Sequence, residues 1–295
     1  MPTGITDSTV LTDSMDDVRS SARQVREQEG GISQLVDRRY LGDGLGPNWN
    51  EVTYAQLTAM AVTEKTDMDE NFQQLSDSLM TIIPTMIGIS TFITDRVKSL
   101  MNGTAFAATG GLAMNAIIRK MDKDGLTVLD GATTSLCGAG TTLTSGHIGA
   151  ATSRISSNAT EIFKPPFYAV LHGYQIKDIE DELKAPIGVY PITDGLTARV
   201  FTDGYSGKLA KAYLFEDGNI TIDSSDDAKG GVFAGGTDGA IVLVMKKDID
   251  VKDKYMPNVG GGGMAAYIYV DYAYGERSAG NGLYEIYSDC TTPTS

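Results

Sequence analysis

The chain has 295 residues, 41% of them hydrophobic, and a formal net charge of -14 at pH 7. That length and apolar content suit one large domain or two closely joined ones, and exclude general disorder. The acidic balance argues against sequence-specific DNA or RNA binding, although an acidic inner wall would let enclosed nucleic acid slide instead of sticking.

The first stretch, MPTGITDSTVLTDSMDD, lacks the basic region and apolar core of a signal peptide. Residues 1–43 read as a polar arm with a helix at Asp16–Glu27 that ends at Gly30-Gly31. An arm with so little to bury either frays or orders against a neighbour. The turn-rich segment DRRYLGDGLGPNWNE follows and holds Trp49, the single tryptophan, which suits an intermolecular contact and packing on its own subunit equally well. Val52–Val62 reads as an extended strand or hairpin arm.

A long helix is expected over 67–101. Phe72, Leu75, Leu79, Ile82, Met86, Ile89, Ile93, Val97 and Leu100 recur at three- and four-residue steps, Asp67 or Asp69 caps the start, and Asn102-Gly103 stops the end. Pro84 would kink it. The apolar run inside it, Leu79–Ile93, is too short and too polar to span a membrane. A shorter helix is expected at Gly111–Lys123, then a loop of small residues, a helix from Thr144 or Ser145 to Ser156, a buried strand at Phe167–Leu171 and a helix at Tyr174–Lys184. From Gly188 onward strands and turns dominate, with strands at Lys211–Phe215, Ile220–Ile222, Gly231–Phe233, Ala240–Met245, Ala265–Ala273 and Leu283–Tyr287. The run Gly260, Gly261, Gly262, Gly263 is a flexible hinge or a tight crossing. Helices and strands mix without regular alternation, so the class is α+β.

Catalytic and ligand motifs are sparse. Cys137 and Cys290 have no metal-type spacing; two free thiols in a reducing cytoplasm is the favoured state, and a single bridge is left open. His147 and His172 have no accompanying nucleophile elbow and are assigned structural roles. Asp122-Lys123-Asp124-Gly125 lacks the closing glutamate of a calcium loop and reads as a turn that ends a helix. Asp223, Asp226 and Asp227 read as a solvated turn. Gly204–Lys208 has the wrong spacing for a phosphate loop, and Gly42, Gly44 and Gly46 do not follow a strand. No cofactor or metal site is expected, and no enzymatic activity.

Four separated segments carry a family resemblance: DRVKSLMNGTAFAATGGLAMNAIIRKMDKDGLTVLDG; LTSGHIGAATSRI with PPFYAVLHGYQIKDI; YLFEDGNITIDSSDDAKGGVF; and DYAYGERSAGNGLYEIYSD. In this order the chain resembles the major capsid proteins of tailed bacteriophages with the Hong Kong 97-like fold. Many members carry Pro where this chain has Gly173. The resemblance implies an N-terminal arm (1–43), an extended loop (44–66), a peripheral domain (67–159) with its spine helix at 67–101, an axial domain (160–263), and C-terminal strands (264–295) that return to the peripheral domain.

It further implies a subunit that self-assembles into pentamers and hexamers of an icosahedral shell around double-stranded DNA. Such a shell is built in the host cytoplasm, with a separate scaffolding protein, a portal and room for a decoration protein. Candidate inter-subunit contacts are Arg38, Arg39, Tyr40, Trp49, Tyr54 and Lys65, and candidate flexing points are Pro84 and Gly260–Gly263. Covalent crosslinking through Lys65 is not expected. An encapsulin-type compartment shell and an acidic adhesin or binding module are the competing readings.

Overall fold

The computed structural model describes residues 30–42, 44–69, 71–100, 103–184 and 207–294, with backbone alone at 103–109 and 183–184. The expected helix at Asp16–Glu27, most of the arm and the stretch 188–206 lie outside the described residues.

A four-stranded sheet brings together segments far apart in the chain. After a one-turn helix α1 (Ile32–Leu35), strand β1 (Asp37–Tyr40) runs parallel to the start of β10 (Ile241–Tyr255). β10 pairs antiparallel with β11 (Gly263–Glu276), and β11 pairs antiparallel with β4 (Thr85–Thr94). Their sequences, TMIGISTFIT in β4 and GMAAYIYVDYAYGE in β11, are rich in the β-branched and aromatic residues that suit a pleated surface. β10 begins as IVLVM, buried throughout, then shifts register between Met245 and Asp250 and continues as an exposed outer half. Bulges of this kind bend a strand away from the body. The Gly260–Gly263 run is the tight turn that closes the β10–β11 hairpin. Gly260, Gly261 and Gly262 have φ of 56°, 84° and 105°, a region glycine enters without steric cost.

A short helix α2 (Asp95–Leu100) leads to the 28-residue helix α3 (Gly103–Asp130), which is about 42 Å long at 1.5 Å per residue. Ala113, Ile117, Met121 and Leu129 fall at multiples of four residues and are buried on one face. They pack with Leu243, Val270 and Tyr272 of the first sheet and with Phe233 of a second sheet, so a single core runs beneath the helix.

That second sheet has six strands in the order β5-β12-β9-β6-β8-β7. They are β5 (Ser135–Cys137), β6 (Phe167–Leu171), β7 (Lys208–Leu209), β8 (Ala212–Glu216), β9 (Asp227–Ala234) and β12 (Leu283–Asp289). α4 (Ser145–Ser156) and α5 (Gly173–Lys184) cover its other face through Ile148, Ile155, Ile176 and Ile179. β6 is central, and its alternate residues feed both cores: Phe167, Ala169 and Leu171 one, Val170 the other.

The helix expected over 67–101 is absent, and the long helix lies one element later. Residues 77–94 form β3 (Asp77–Ile82) and β4, separated at Pro84, which therefore kinks no helix. The stretch LMTIIPTMIGISTFIT is so dense in apolar residues that a three-to-four spacing fits by chance. Its Ile and Thr content and Pro84 decide for strands. Conversely, Asn102-Gly103 reads as a helix stop and a short helix is expected from Gly111, yet α3 begins at Gly103 and runs through Gly110 and Gly111, because packing of the helix between two sheets outweighs the roughly 1 kcal/mol that an interior glycine costs.

The sheets distribute the segments 160–263 and 264–295 as follows. β5 and α4 precede residue 160 but lie in the six-stranded layer, β10 lies in the other sheet, and the last two strands part company, β11 to the four-stranded sheet and β12 to the six-stranded one. Two crossings between layers interrupt what reads in sequence as contiguous blocks. Ile220–Ile222 contributes only a bridge from Ile222 to Ala228. Among the described residues no helix is long and apolar enough to cross a membrane.

Candidate inter-subunit surface

The outstanding feature of the surface is a hairpin that leaves the body. β2 (Trp49–Tyr54) pairs antiparallel with β3 from Trp49↔Ile82 to Tyr54↔Asp77. Ala55 N–H donates to Ser76 O at 2.9 Å, and Gln73 exchanges hydrogen bonds with the backbone of Thr58, which carries the pairing outward. At the far end Thr63 and Thr66 close a turn that contains Lys65. One further contact, Gln56 Nε2 to Thr160 O at 2.6 Å, ties the hairpin to the body.

Both strands are edges, and their side chains are mostly uncovered. Phe72 is 83% exposed, and Tyr54, Leu57, Leu75, Leu79 and Met86 are each more than half exposed. A two-stranded ribbon is marginal by itself in water, and so many large exposed apolar side chains along one ribbon are unusual on a solitary protein.

The root of the hairpin is rigid. Trp49 packs with Leu41, Ile82, Val242 and Val244 in a small separate core. Beside it Arg277, just past β11, donates from Nη2 to Asp37 Oδ2 at 2.7 Å, from Nε to Glu51 Oε1 at 2.8 Å and from Nη1 to Gly239 O at 2.8 Å. Arg39 donates to the same Asp37 oxygen at 3.0 Å and to Asp238 at 2.8 Å. Asp37 and Arg277 are both nearly enclosed, so a multidentate network satisfies each charge. The clamp joins β1, β2, the turn before β10 and the end of β11.

The six sequence-derived contact candidates therefore separate. Trp49 and Arg39 are engaged within the subunit, and Arg38 donates to Ser33 O at 2.7 Å. Tyr40 (60% exposed), Tyr54 and Lys65 face outward. The exposed apolar residues of β3 and of the extended segment leading into it were missed as surface groups, since they had been placed on a helix stripe.

The two histidines occupy helix starts. His147 Nδ1 accepts from Thr144 N–H at 3.2 Å in a capping arrangement at α4, where Glu182 also accepts from Ser145 N–H at 2.6 Å. His172 N–H donates to Gln175 Oε1 at 3.0 Å, and its Nδ1 accepts from Tyr174 N–H at 3.2 Å, at the start of α5. Sequence reasoning left His172 without a partner, but the fold brings Cys290 Sγ to 3.2 Å from Nδ1. The pair has the wrong electronics for a nucleophile. Burial pushes the Cys290 thiol up to about 12 and pushes His172 below its ordinary value. A neutral thiol in contact with a neutral imidazole is then the resting state at pH 7, where a reactive cysteine needs a thiolate. Neither cysteine is bridged. Among the described residues no group of three or more His, Cys, Asp or Glu is placed to hold a metal ion.

No protein-family model matches this sequence, and no curated protein is similar to it. Solved structures are similar to it throughout. The capsid subunit of cyanophage Pam1 aligns over 98% of this chain and 100% of its own, with a TM-score of 0.72 at 11% identity. The capsid of cyanophage P-SCSP1u aligns over 94% and 93%, with a TM-score of 0.71 at 10% identity. The SrpI encapsulin of Synechococcus elongatus aligns over 99% of both chains, with a TM-score of 0.66 at 10% identity. At such identities the likeness is one of architecture: the chain has the Hong Kong 97-like fold of tailed-phage capsid subunits.

Proposed function

We propose that this chain is the major capsid protein of a tailed phage, a subunit that assembles into pentamers and hexamers of an icosahedral shell around double-stranded DNA. The observation that carries this reading is the outstretched hairpin, with an apolar surface left uncovered by its own subunit and a root locked by the Arg277 clamp. Such a surface is stable in water only when another molecule covers it, and in a fold shared with shell subunits the natural cover is a sister copy. Overlapping contacts of modest strength then act together through effective concentration, and ring-closing heterologous interfaces give closed symmetry.

In this reading the four-stranded sheet with α3 is the peripheral domain, α3 is the spine helix, and the six-stranded sheet with α4 and α5 is the axial domain that meets its copies at the centre of each ring. Residues 1–43 are the arm. Tyr40, Tyr54 and Lys65 are outward contacts, and the Gly260–Gly263 turn is a flexing point at the edge of the subunit. The net charge of -14 suits a wall that does not hold DNA in place. The protein acts structurally, without catalysis, in the virion after assembly in the host cytoplasm, together with a separate scaffolding protein and a portal, and with a decoration protein where one is present.

The likeness to SrpI encapsulin favours a second reading, a compartment shell that encloses protein. Purified particles separate the two. Electron microscopy is expected to show closed shells, and nuclease-protected double-stranded DNA inside particles from the native source identifies a capsid. Shells filled with a protein and free of DNA would establish the compartment. A monomer by light scattering at high concentration, with its hairpin folded on its own body, would defeat both.

A further inference from the structure

Asp122 of α3 and Asp217, in the connection after β8, are buried together, with 1% and 3% of their surfaces exposed. Both Asp122 oxygens accept hydrogen bonds, Oδ1 from Ile32 N–H at 3.3 Å and Oδ2 from Asn219 Nδ2 at 3.0 Å. Asp217 Oδ1 accepts from Asn219 N–H at 2.9 Å, and its Oδ2 is enclosed with no donor. The Asp122 carboxyl is the neighbour of Asp217: Asn219 bridges the two, its N–H bonded to Asp217 and its side-chain amide to Asp122, and the Asp122 charge acts on Asp217. Two ionised carboxylates in this position repel each other, and an enclosed acceptor without a donor is costly. One proton shared by the two carboxyls would remove both problems, because the protonated acid donates to its ionised neighbour in a charge-assisted bond.

Three parts of the fold meet here. Gly30 lies so close that a side chain there would overlap the Asp122 carboxyl, so the Gly30–Ile32 backbone packs directly against this pair. On β11 the enclosed Tyr274 hydroxyl is pushed above its ordinary value by burial first and by Asp122 second, with Arg38 of β1 opposing. On α3, Asp124 is engaged by the Tyr272 hydroxyl at 2.8 Å and by Lys120, and Lys123 is exposed. Glu216, beside Asp217, points toward Gly173 and acts on His172.

We propose that Asp122 and Asp217 form a proton-held latch. With the shared proton in place, α3, the Gly30–Ile32 stretch and the β8–β9 connection close as one junction, and loss of the proton loosens the packing of Gly30–Ile32 against α3. Burial lifts Asp217 to about 7, and the neighbouring Asp122 charge adds to the shift, against the hydrogen bond from Asn219. Since the folded-state value is raised, the stabilisation is complete below the ordinary aspartate range near pH 4 and is lost as pH rises through about 7. The latch belongs to the single subunit and stands apart from the shell reading.

The test uses the full chain in monodisperse solution, as wild type and as Asp217→Asn, whose amide donates in place of the acid proton. The thermal midpoint of the wild type is expected to fall between pH 5 and 8 more steeply than that of the variant. Hydrogen exchange at Ile32 N–H is expected to be about tenfold faster in the wild type than in the variant at pH 8. Infrared spectra of the wild type alone, which do not depend on the variant folding, are expected to show a protonated carboxyl at pH 6 that ionises near pH 7. Identical pH slopes in the two proteins, or no protonated carboxyl at pH 6, would overturn the latch. So would restoration of the pH 8 midpoint by calcium or magnesium ions, which would make the pair a cation site.

Discussion

The six-stranded sheet and the β2–β3 hairpin solve opposite problems with similar residues. In the sheet, Phe167, Val232, Phe233 and Ile286 are fully enclosed between α3 on one face and α4 and α5 on the other. In the hairpin, Tyr54, Leu57, Phe72 and Leu79 are comparably apolar and lie open to solvent. The first region completes its burial within one chain. The second has strands, register and a clamped root, but lacks a second layer. Apolar content therefore says how much surface must be covered, and topology says whether the same molecule covers it.

The sharpest way to break this contrast is to remove the outer hairpin. Replacing residues 57–73 with a short Gly/Ser turn is expected to abolish assembly outright, as seen by sedimentation, while circular dichroism and the cooperative melt of the subunit persist. Loss of folding in that variant would show the hairpin to be part of the subunit core. Next in size, Phe233→Ala opens a cavity where the sheet meets α3 and is expected to cost about 3–5 kcal/mol in denaturant unfolding. Arg277→Ala strands the enclosed Asp37 charge and releases Glu51. It is expected to cost about 3 kcal/mol and to raise hydrogen exchange at the hairpin root. Cys290 offers a smaller effect inside the packed region: its thiol, held near 12 by burial, is expected to react with iodoacetamide at pH 7 at least about a hundredfold more slowly than a free cysteine. Smallest for the isolated subunit is Phe72→Ser, expected to shift stability by no more than about 0.5 kcal/mol. The same change is expected to raise the concentration needed for assembly, so an unchanged assembly threshold would remove Phe72 from the interface.

Much of the second half was legible residue by residue. Phe167–Leu171, the α4 and α5 boundaries and the last strand fall within a residue or two of where alternation, capping residues and glycine punctuation put them, because these are local signals. The failure at 67–101 was a failure of period: where nearly every residue is apolar or Thr, a helix stripe and a strand alternation are both satisfied, and only β-branching and Pro84 discriminate. The Cys290–His172 and Asp122–Asp217 pairs carry no sequence signal, since each joins positions about a hundred residues apart through sheet order.

By itself the sequence determined an acidic α+β chain with a packed second half, a set of helix starts and turns, and a polar front with little to bury. Only the tertiary structure decided where the long helix runs, how β10, β11 and β12 divide between two sheets, and which apolar residues are left without cover. Propensity and capping act over a few residues and survive in any context. Burial, clamp formation and carboxyl pairing depend on which distant segments the sheets bring together, and no local pattern records that.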